Sequence, residues 1–149
     1  MSQVEQFIAA ATEFSDWCAS APREEAKEAQ QVLVLLVRLY SLALQLREPS
    51  NINYELDGEG TDDPTWKNVY KRASALPLQH YAEVLDPEIL PAKKDQLAIG
   101  DLADDIADIH RDLTAGLSLA LAGHIAEAEW EFVHSFRFHW GSHATSAIR

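Results

Sequence analysis

Apolar residues recur at three- and four-residue steps along most of the chain, the period of amphipathic α-helices. The first such segment runs from about Gln3 to Ala19, with apolar positions at Val4, Phe7, Ile8, Ala11, Phe14 and Trp17. Pro22 stands where proline favours the first turn of a helix, and a second helix is predicted from there to about Leu46. The polar positions of the second helix form one narrow stripe at Glu24, Gln31, Arg38 and Gln45. A helix with so narrow a polar stripe is surrounded by others, so we expect it to be the most buried element.

The helical pattern fails from Arg47 to Asp63, where glycines, a proline and a run of acids predict a long, exposed acidic loop. Pro64 restarts a helix that carries Trp66 and Tyr70 and ends near Leu76 and Pro77. A shorter helical piece is predicted around His80, Tyr81 and Val84, ending near Asp86 and Pro87, and irregular structure over Glu88–Ile99.

Two further helices complete the pattern, one from Asp101 to a C-terminal cap at Gly123 and one from about His124 to Ala147. The aromatic side chains of the last helix do not fall on one stripe, so we expect that helix to be covered on more than one side; they are Trp130, Phe132, Phe136, Phe138 and Trp140. Gly141 within it predicts a close approach by a neighbour. The predicted fold is all-α: one domain over residues 1–149, a bundle of about five main helices with one long acidic loop and no more β-structure than a short hairpin.

The net charge of the chain limits the classes of molecule that it is expected to bind. The 149 residues hold 24 acids against 12 lysines and arginines, a net charge of −12. Such a surface repels phosphate backbones, so neither nucleic acid nor an anionic membrane surface is an expected partner, whereas a basic protein or divalent cations would be attracted. Cys18 is the only cysteine, which excludes an intramolecular disulfide and a cysteine-based zinc site. The N-terminal residues lack the pattern of a signal peptide, and a cytoplasmic location is expected.

An acidic stripe runs down the predicted fourth helix. At 100° per residue its five aspartates share an arc of about 100°, and they are Asp101, Asp104, Asp105, Asp108 and Asp112. Helix capping and the helix dipole account for the aspartates of the first turn, but not for Asp108 and Asp112. A solvated acidic face, ion pairs to other helices and divalent-cation binding are the three interpretations.

Two histidines of the last helix supply suitable counterparts. His139 and His143 lie one turn apart and share a helical face with Ile125, Phe132 and Phe136. Because a short connection at Gly123 makes the last two helices antiparallel neighbours, the histidines are predicted to meet the Asp105–Asp112 stripe. The meeting would form either a hydrogen-bonded structural network or a divalent-metal site whose ligands are drawn from Asp105, Asp108, Asp112, His139 and His143.

These motifs resemble the signature of an uncharacterised bacterial family known only as a domain of unknown function. The resemblance rests on Asp104-Asp-Ile-Ala-Asp-Ile-His-Arg-Asp112, Glu127-Ala-x-Trp130 and Ser135-Phe-x-x-His139-Trp-Gly-x-His143, and on Trp66, Tyr70, Leu76-Pro77, Tyr81 and Asp86-Pro87 in the middle of the chain. His110 departs from it, since an aromatic residue is expected there. The resemblance implies a small helical protein and no particular activity.

The sequence supports two functional hypotheses. The first is a non-catalytic binding or accessory module, with a protein partner or a second copy as its target and with the acidic loop available for docking. The alternative is a divalent-metal-dependent hydrolase, similar to phosphohydrolases, in which Asp105, Asp108 and Asp112 hold the ion and His139 or His143 binds it or acts as a general base.

Overall fold

The computed structural model describes residues 1–86, 88–91 and 93–149 and confirms the predicted bundle. Its helices are α1 (Gln3–Ala19), α2 (Glu25–Ala43), α3 (Asp63–Ala73), α4 (Leu102–Leu121), α5 (Ile125–Ser135) and α6 (Gly141–Ile148), the last two joined by a π-helical turn over Phe136–Trp140. Local chemistry sets the helix starts: Ser2 and Glu5 form a capping box at α1, and the Asp62 carboxylate accepts from the Thr65 amide at α3. Within the described ranges, no helix combines the length and apolar character needed to cross a membrane.

The short helical piece predicted around His80, Tyr81 and Val84 is wrong. This segment is strand β1 (His80–Val84), paired antiparallel with β2 (Leu97–Asp101), which takes in the end of the region predicted as irregular. Five residues are too few for periodicity to separate a strand from a helical turn. Pro87, where the helical piece was expected to end, and residue 92 lie outside the described residues.

The central element is α4, not α2 as the sequence predicts. Helix α4 packs against α1, α3, α5 and α6 and buries Ile106, Ile109 and Leu113 almost completely. Helix α2 instead leaves Val34 and Val37 about half exposed, at 55% and 47%. The apolar positions around α2 therefore do not indicate burial on every side. The aspartates that make α4 look solvent-facing in the sequence have partners within the fold.

The π-helical turn changes which side chains of the last helix point towards the core. An extra residue per turn rotates the residues after it, so that Trp140, Gly141 and Ala144 are buried. The helical face predicted for Ile125, His139 and His143 is wrong in part, because Ile125 at the start of α5 is 39% exposed and the His139 side chain within the turn is 42% exposed. The histidines border the apolar face and do not lie in its middle.

Gly141→Ala is expected to lower the melting temperature. An ordinary glycine-to-alanine change within a helix stabilises by about 1 kcal/mol, but a Cβ at Gly141 would lie 2.5 Å from the Phe136 carbonyl oxygen of the π-helical turn. The neighbour that approaches Gly141 is thus the preceding turn of its own helix. Gly60→Ala is the control, because nothing lies within 4 Å of a Cβ there. A Gly141→Ala protein that melts at or above the wild-type temperature would contradict the close contact.

The acidic loop is held along α4 and α5, so it is not available for docking over its whole length. A Cβ at Gly58 would lie 2.1 Å from the Ala115 carbonyl oxygen, which shows how closely the two backbones approach. The Glu59 amide donates to Ser118 Oγ at 2.7 Å, and the Asn53 amide donates to Glu127 Oε1 at 3.0 Å. The close approach requires a residue without a side chain at position 58.

A buried ion pair joins α2 and α3. Arg72 and Glu28 form a salt bridge with side chains only 4% and 5% exposed. The Arg72 guanidinium carbon lies 4.3 Å above the centre of the Trp17 ring, and Nη2 also donates to Ser20 Oγ at 3.3 Å. Glu28 lies one turn before the buried Val32 on the same face of α2, but periodicity could not identify the pair because its partner stands on another helix.

Candidate metal centre

The first turn of α4 is fixed by Asp101. Its carboxylate accepts from the Ala103 amide at 2.9 Å, which caps the helix, and from the Tyr70 hydroxyl of α3 at 2.7 Å. Asp104 follows on the same face, and desolvation, reinforced by the nearby Asp108 carboxylate, raises its pKa. Capping thus accounts for Asp101, while the aspartates further along α4 have different partners.

Two histidine–aspartate pairs bridge α4 and the last helix. His139 Nδ1 lies 2.6 Å from Asp112 Oδ2, and His143 Nδ1 lies 2.6 Å from Asp105 Oδ1. The ring centres of the two histidines are 4.7 Å apart. The predicted meeting of the histidine pair with the aspartate stripe is therefore present.

Aromatic side chains from other elements donate hydrogen bonds to two of the carboxylates. Tyr81 of β1 donates its hydroxyl hydrogen to Asp105 Oδ2, so both oxygens of this buried carboxylate are occupied. Trp66 of α3 donates its ring N–H to Asp108 Oδ1 at 2.8 Å, and Arg111 Nη2 lies 3.1 Å from the same oxygen. The sequence places Trp66 and Tyr81 in predicted helical segments and in the family resemblance, but does not predict them as partners of the aspartates. The Tyr81 hydroxyl and the Trp66 ring N–H need hydrogen-bond partners when they are buried, and this need could have linked both residues to the aspartates.

Three side chains that could bind a metal ion lie close together beside these hydrogen bonds. Asp108, His139 and His143 each offer one ligand atom, and the three atoms lie within 4.8 Å of one another. Asp108 Oδ2 is 3.7 Å from His143 Nε2. Asp105 and Asp112, which were also predicted as ligands, instead contact the Nδ1 atoms of the histidines. A carboxylate on one ring nitrogen is the usual partner of a histidine whose other nitrogen binds a metal.

We call the contact between the aspartate stripe of α4 and the two histidines of the last helix the seam. It is partly exposed to solvent. The side chains of Asp105, Asp108 and Asp112 are 7%, 13% and 15% exposed, so the first of the three interpretations, a solvated acidic face, does not hold for them. The imidazole of His143 is 23% exposed and that of His139 42%, and they form the accessible side. The carboxylates of the stripe outnumber Arg111 and the two imidazoles, which leaves excess negative charge that favours a cation.

Hydrogen bonding and burial shift the pKa values of two neighbouring groups. The hydrogen bond to Asp105 raises the pKa of His143, although burial works against it. Burial, followed by the hydrogen bond to Asp105, raises the pKa of Tyr81 to about 12. Tyr81 therefore remains a hydrogen-bond donor over the whole range in which His143 titrates.

Asp105→Asn and His143→Gln are expected to destabilise the metal-free protein non-additively. We expect a coupling of about 0.5–3 kcal/mol in a double-mutant cycle, because the two side chains share one hydrogen bond. Asp112 with His139 should couple in the same way. The crossed pair, Asp105 with His139, is the control, and its coupling should be smaller because the structure gives no bond between those side chains. Equal couplings in the matched and crossed pairs would contradict this geometry.

The Asp105–His143 coupling should weaken as pH rises. A raised pKa in the folded state means that the folded protein binds more protons than the unfolded chain, so stability falls with increasing pH. The contribution is complete below about pH 6.5, the pKa of histidine in an unfolded chain, and is lost as pH passes the raised value. Urea unfolding in a chelator at pH 6 and pH 9 measures this change, and a coupling that grows with pH would contradict the assigned direction.

His110 and Cys18 lie apart from the centre. His110 Nε2 is 3.2 Å from Ser15 Oγ of α1, and burial lowers the pKa of this imidazole. Burial also raises the pKa of the Cys18 thiol, which disfavours the reactive thiolate. These two side chains therefore belong to the packing around α1 and not to the aspartate stripe.

Comparison with known proteins gives a family and a shared fold. No curated protein matches the chain. The crystal structure of protein BF1032 from Bacteroides fragilis is similar, with a TM-score of 0.79 at 17% identity, over 99% of this chain and 89% of that one. At this identity the similarity shows the fold alone. The family model described as a domain of unknown function, DUF5063, matches residues 1–149, and the chain therefore belongs to that family.

Proposed function

We propose that the protein is a binding module in which the seam between α4 and the last helix holds a divalent transition-metal ion. The ligands are Asp108, His139 and His143. One observation carries the proposal: two imidazoles and a carboxylate converge within 4.8 Å, while separate carboxylates contact the Nδ1 atom of each imidazole.

The hydrogen bonds select which atoms face the ion. With Nδ1 of each ring directed at an aspartate, the nitrogen left to bind a metal is Nε2. Trp66 and Arg111 occupy Asp108 Oδ1, so the ligand atom of this residue is Oδ2. Ligand atoms around a tetrahedral zinc lie about 3.3–3.6 Å apart, given metal–ligand distances of about 2.0–2.2 Å. The present 3.7 Å between Asp108 Oδ2 and His143 Nε2 is close to that separation.

The donor set indicates the class of metal. Imidazole nitrogens suit zinc, iron and similar transition metals, whereas magnesium and calcium favour ligand sets made entirely of oxygen. An ion bound here would link α4 to α6 directly. It would also offset part of the excess negative charge of the stripe.

Zinc or manganese is expected to raise the melting temperature of protein purified without a histidine tag and stripped with a chelator. A ligand that binds only the folded state at a hundred times its dissociation constant stabilises by about 2.7 kcal/mol, which corresponds to roughly 5–11 °C for a domain of this size. The rise should be absent in His143→Gln and Asp108→Asn. His80→Gln is the control, since it removes an exposed imidazole on β1. Equal rises in all variants would place the ion elsewhere.

A second function, metal-dependent hydrolysis, is favoured by the accessible side of the site. Three protein ligands leave a coordination position for water, as in catalytic zinc sites, and the half-exposed His139 gives solvent access to it. A bound divalent ion lowers the pKa of such a water and so supplies a nucleophile near neutral pH. Hydrolysis of p-nitrophenyl phosphate and p-nitrophenyl acetate by zinc- and manganese-loaded protein tests this function. Turnover that disappears in His139→Gln supports it, and turnover equal to that of the free ion contradicts it.

A further inference from the structure

Four rings form a continuous ladder along the outer side of α5 and the π-helical turn that follows it. Trp130 and His134 stack with centroids 4.7 Å apart and planes 15° apart, and His134 lies 4.7 Å from Phe138. Tyr54 of the acidic loop contacts Trp130 edge-on at 5.8 Å. The spacing of four residues along a helix produces this stacking, because such positions lie one turn apart. We call Tyr54, Trp130, His134 and Phe138 the aromatic ladder.

The last helix contacts both α4 and α2, as predicted, and the aromatic ladder lies on the side that these contacts leave open, with Trp130 half-buried at its centre. Phe138 and Tyr54 are each 75% exposed, and His134 is also exposed. Phe132 and Trp140 of the same helix are fully buried and supply its contacts with the core. A contiguous exposed apolar surface of this kind marks an interaction site more often than isolated surface residues do.

Negative charge surrounds the aromatic ladder. Five acids stand beside its rings along the chain: Glu127, Glu129 and Glu131 on either side of Trp130 in α5, and Glu55 and Asp57 after Tyr54 in the loop; Arg137, which precedes Phe138, pairs with Glu48 at 2.8 Å. Glu127 and Glu129 accept hydrogen bonds from backbone amides, which leaves their charge uncompensated. Rings set in an acidic surface match a cation that also offers a flat or apolar face.

We propose that the aromatic ladder is the docking site for an arginine-bearing segment of a partner protein. A guanidinium stacks on aromatic faces, and such cation–π contacts are favourable even at exposed sites. The surrounding carboxylates attract the basic segment and repel acidic or phosphorylated ones. A second copy of this chain, with its net charge of −12, does not match the surface. The proposal is independent of the metal centre, whose ligands lie in the seam with α4.

Fluorescence anisotropy with a labelled synthetic peptide of alternating arginine and glycine tests the proposal. We expect the arginine peptide to bind about tenfold more tightly than the same peptide with citrulline, which keeps the shape and loses the charge. The lysine peptide should fall between them. Phe138→Ala should weaken binding of the arginine peptide about fivefold. Leu121→Ala is the control, because it removes a 92% exposed apolar side chain at the end of α4.

Tyr54→Ala should also weaken binding of the arginine peptide. Because Tyr54 lies in the acidic loop, this variant tests the aromatic ladder without a change in the last helix. Equal binding of the arginine and citrulline peptides would overturn the proposal, as would equal binding of a proline-rich peptide without charge. Binding that is unchanged in both ladder variants would assign the effect to charge alone and overturn it as well. A dimer in sedimentation that dissociates on Phe138→Ala would identify a second copy as the occupant, which also overturns it.

Discussion

Replacing Arg72 by methionine is expected to lower the free energy of unfolding by about 3–5 kcal/mol, the usual cost of leaving one member of a buried ion pair alone. Glu28 would remain with a side chain only 5% exposed and without its positive partner. The stacking of the guanidinium on Trp17 would be lost at the same time. Urea unfolding of the variant and the wild type measures the difference.

The double variant Arg72→Met, Glu28→Met should recover most of this loss, because an apolar pair of similar size leaves no uncompensated charge. Among the described residues, Arg72 Nε and Nη1 have no hydrogen-bond partner, so the native pair is itself incompletely satisfied. Arg137→Met provides the control. Its pair with Glu48 is more than half exposed, and such pairs contribute about 0–1 kcal/mol. A loss below about 1 kcal/mol for Arg72→Met would contradict the burial of the pair.

The second large effect is expected at the contact between α4 and α5. Phe132 is fully buried and lies 4.7 Å from Phe7 of α1, so Phe132→Ala should cost about 3–5 kcal/mol through lost apolar burial and an unfilled cavity. Its ring covers Gly116 so closely that a Cβ there would lie 2.3 Å from Phe132 Cε1. The two positions should therefore be strongly coupled.

Gly116→Ala should change sign with the residue at position 132. In the wild type it forces the Phe132 ring aside, and overpacking of this kind costs about 1–3 kcal/mol. In the Phe132→Ala background the obstruction is gone, and the higher helix propensity of alanine should stabilise by about 1 kcal/mol. Chemical denaturation of the four proteins of the cycle measures both values. The same sign in both backgrounds would show that the ring is not the obstacle.

Sequence was sufficient where the structural cause is local. The bounds of α1 follow from Ser2, Glu5 and a regular apolar spacing, and the position of Gly123 after α4 is confirmed by its positive φ of 89°. Long periodic segments carry enough positions to determine the element type. The pattern of the five-residue strand β1 predicts a helical turn instead, because its identity as a strand depends on pairing with residues more than ten positions further along the chain.

Long-range packing could not be read from periodicity. The apolar residues of α2 predict a central helix, although Val34 is 55% exposed. A solvated face was one interpretation of the acidic stripe of α4, although Asp105 is buried. Hydropathy describes each residue alone, and burial of an aspartate depends on the partner that another element supplies. Glu28 and Arg72 show the same limitation, because their pairing joins two helices.

The candidate site was predictable in part. Helix geometry placed His139 and His143 beside the aspartate stripe, but it could not distinguish the pairing of His139 with Asp112 from other combinations. The π-helical turn, which sets that pairing, has no clear signature in the sequence. The hydrogen bonds from Trp66 and Tyr81 depend on where α3 and the hairpin pack. These contacts separate a potential ligand such as Asp108 from an orienting residue such as Asp105.

Anomalous diffraction at the zinc absorption edge, from crystals of tag-free protein grown with zinc, tests the metal centre most directly. The structure leads us to expect one strong peak within about 2.0–2.2 Å of Asp108 Oδ2, His139 Nε2 and His143 Nε2. Asp105 and Asp112 should remain on the Nδ1 atoms of the two histidines. A peak coordinated by other carboxylates, or a fully ordered His139–His143 pair with no peak beside it, would contradict the assignment of this seam as a metal centre.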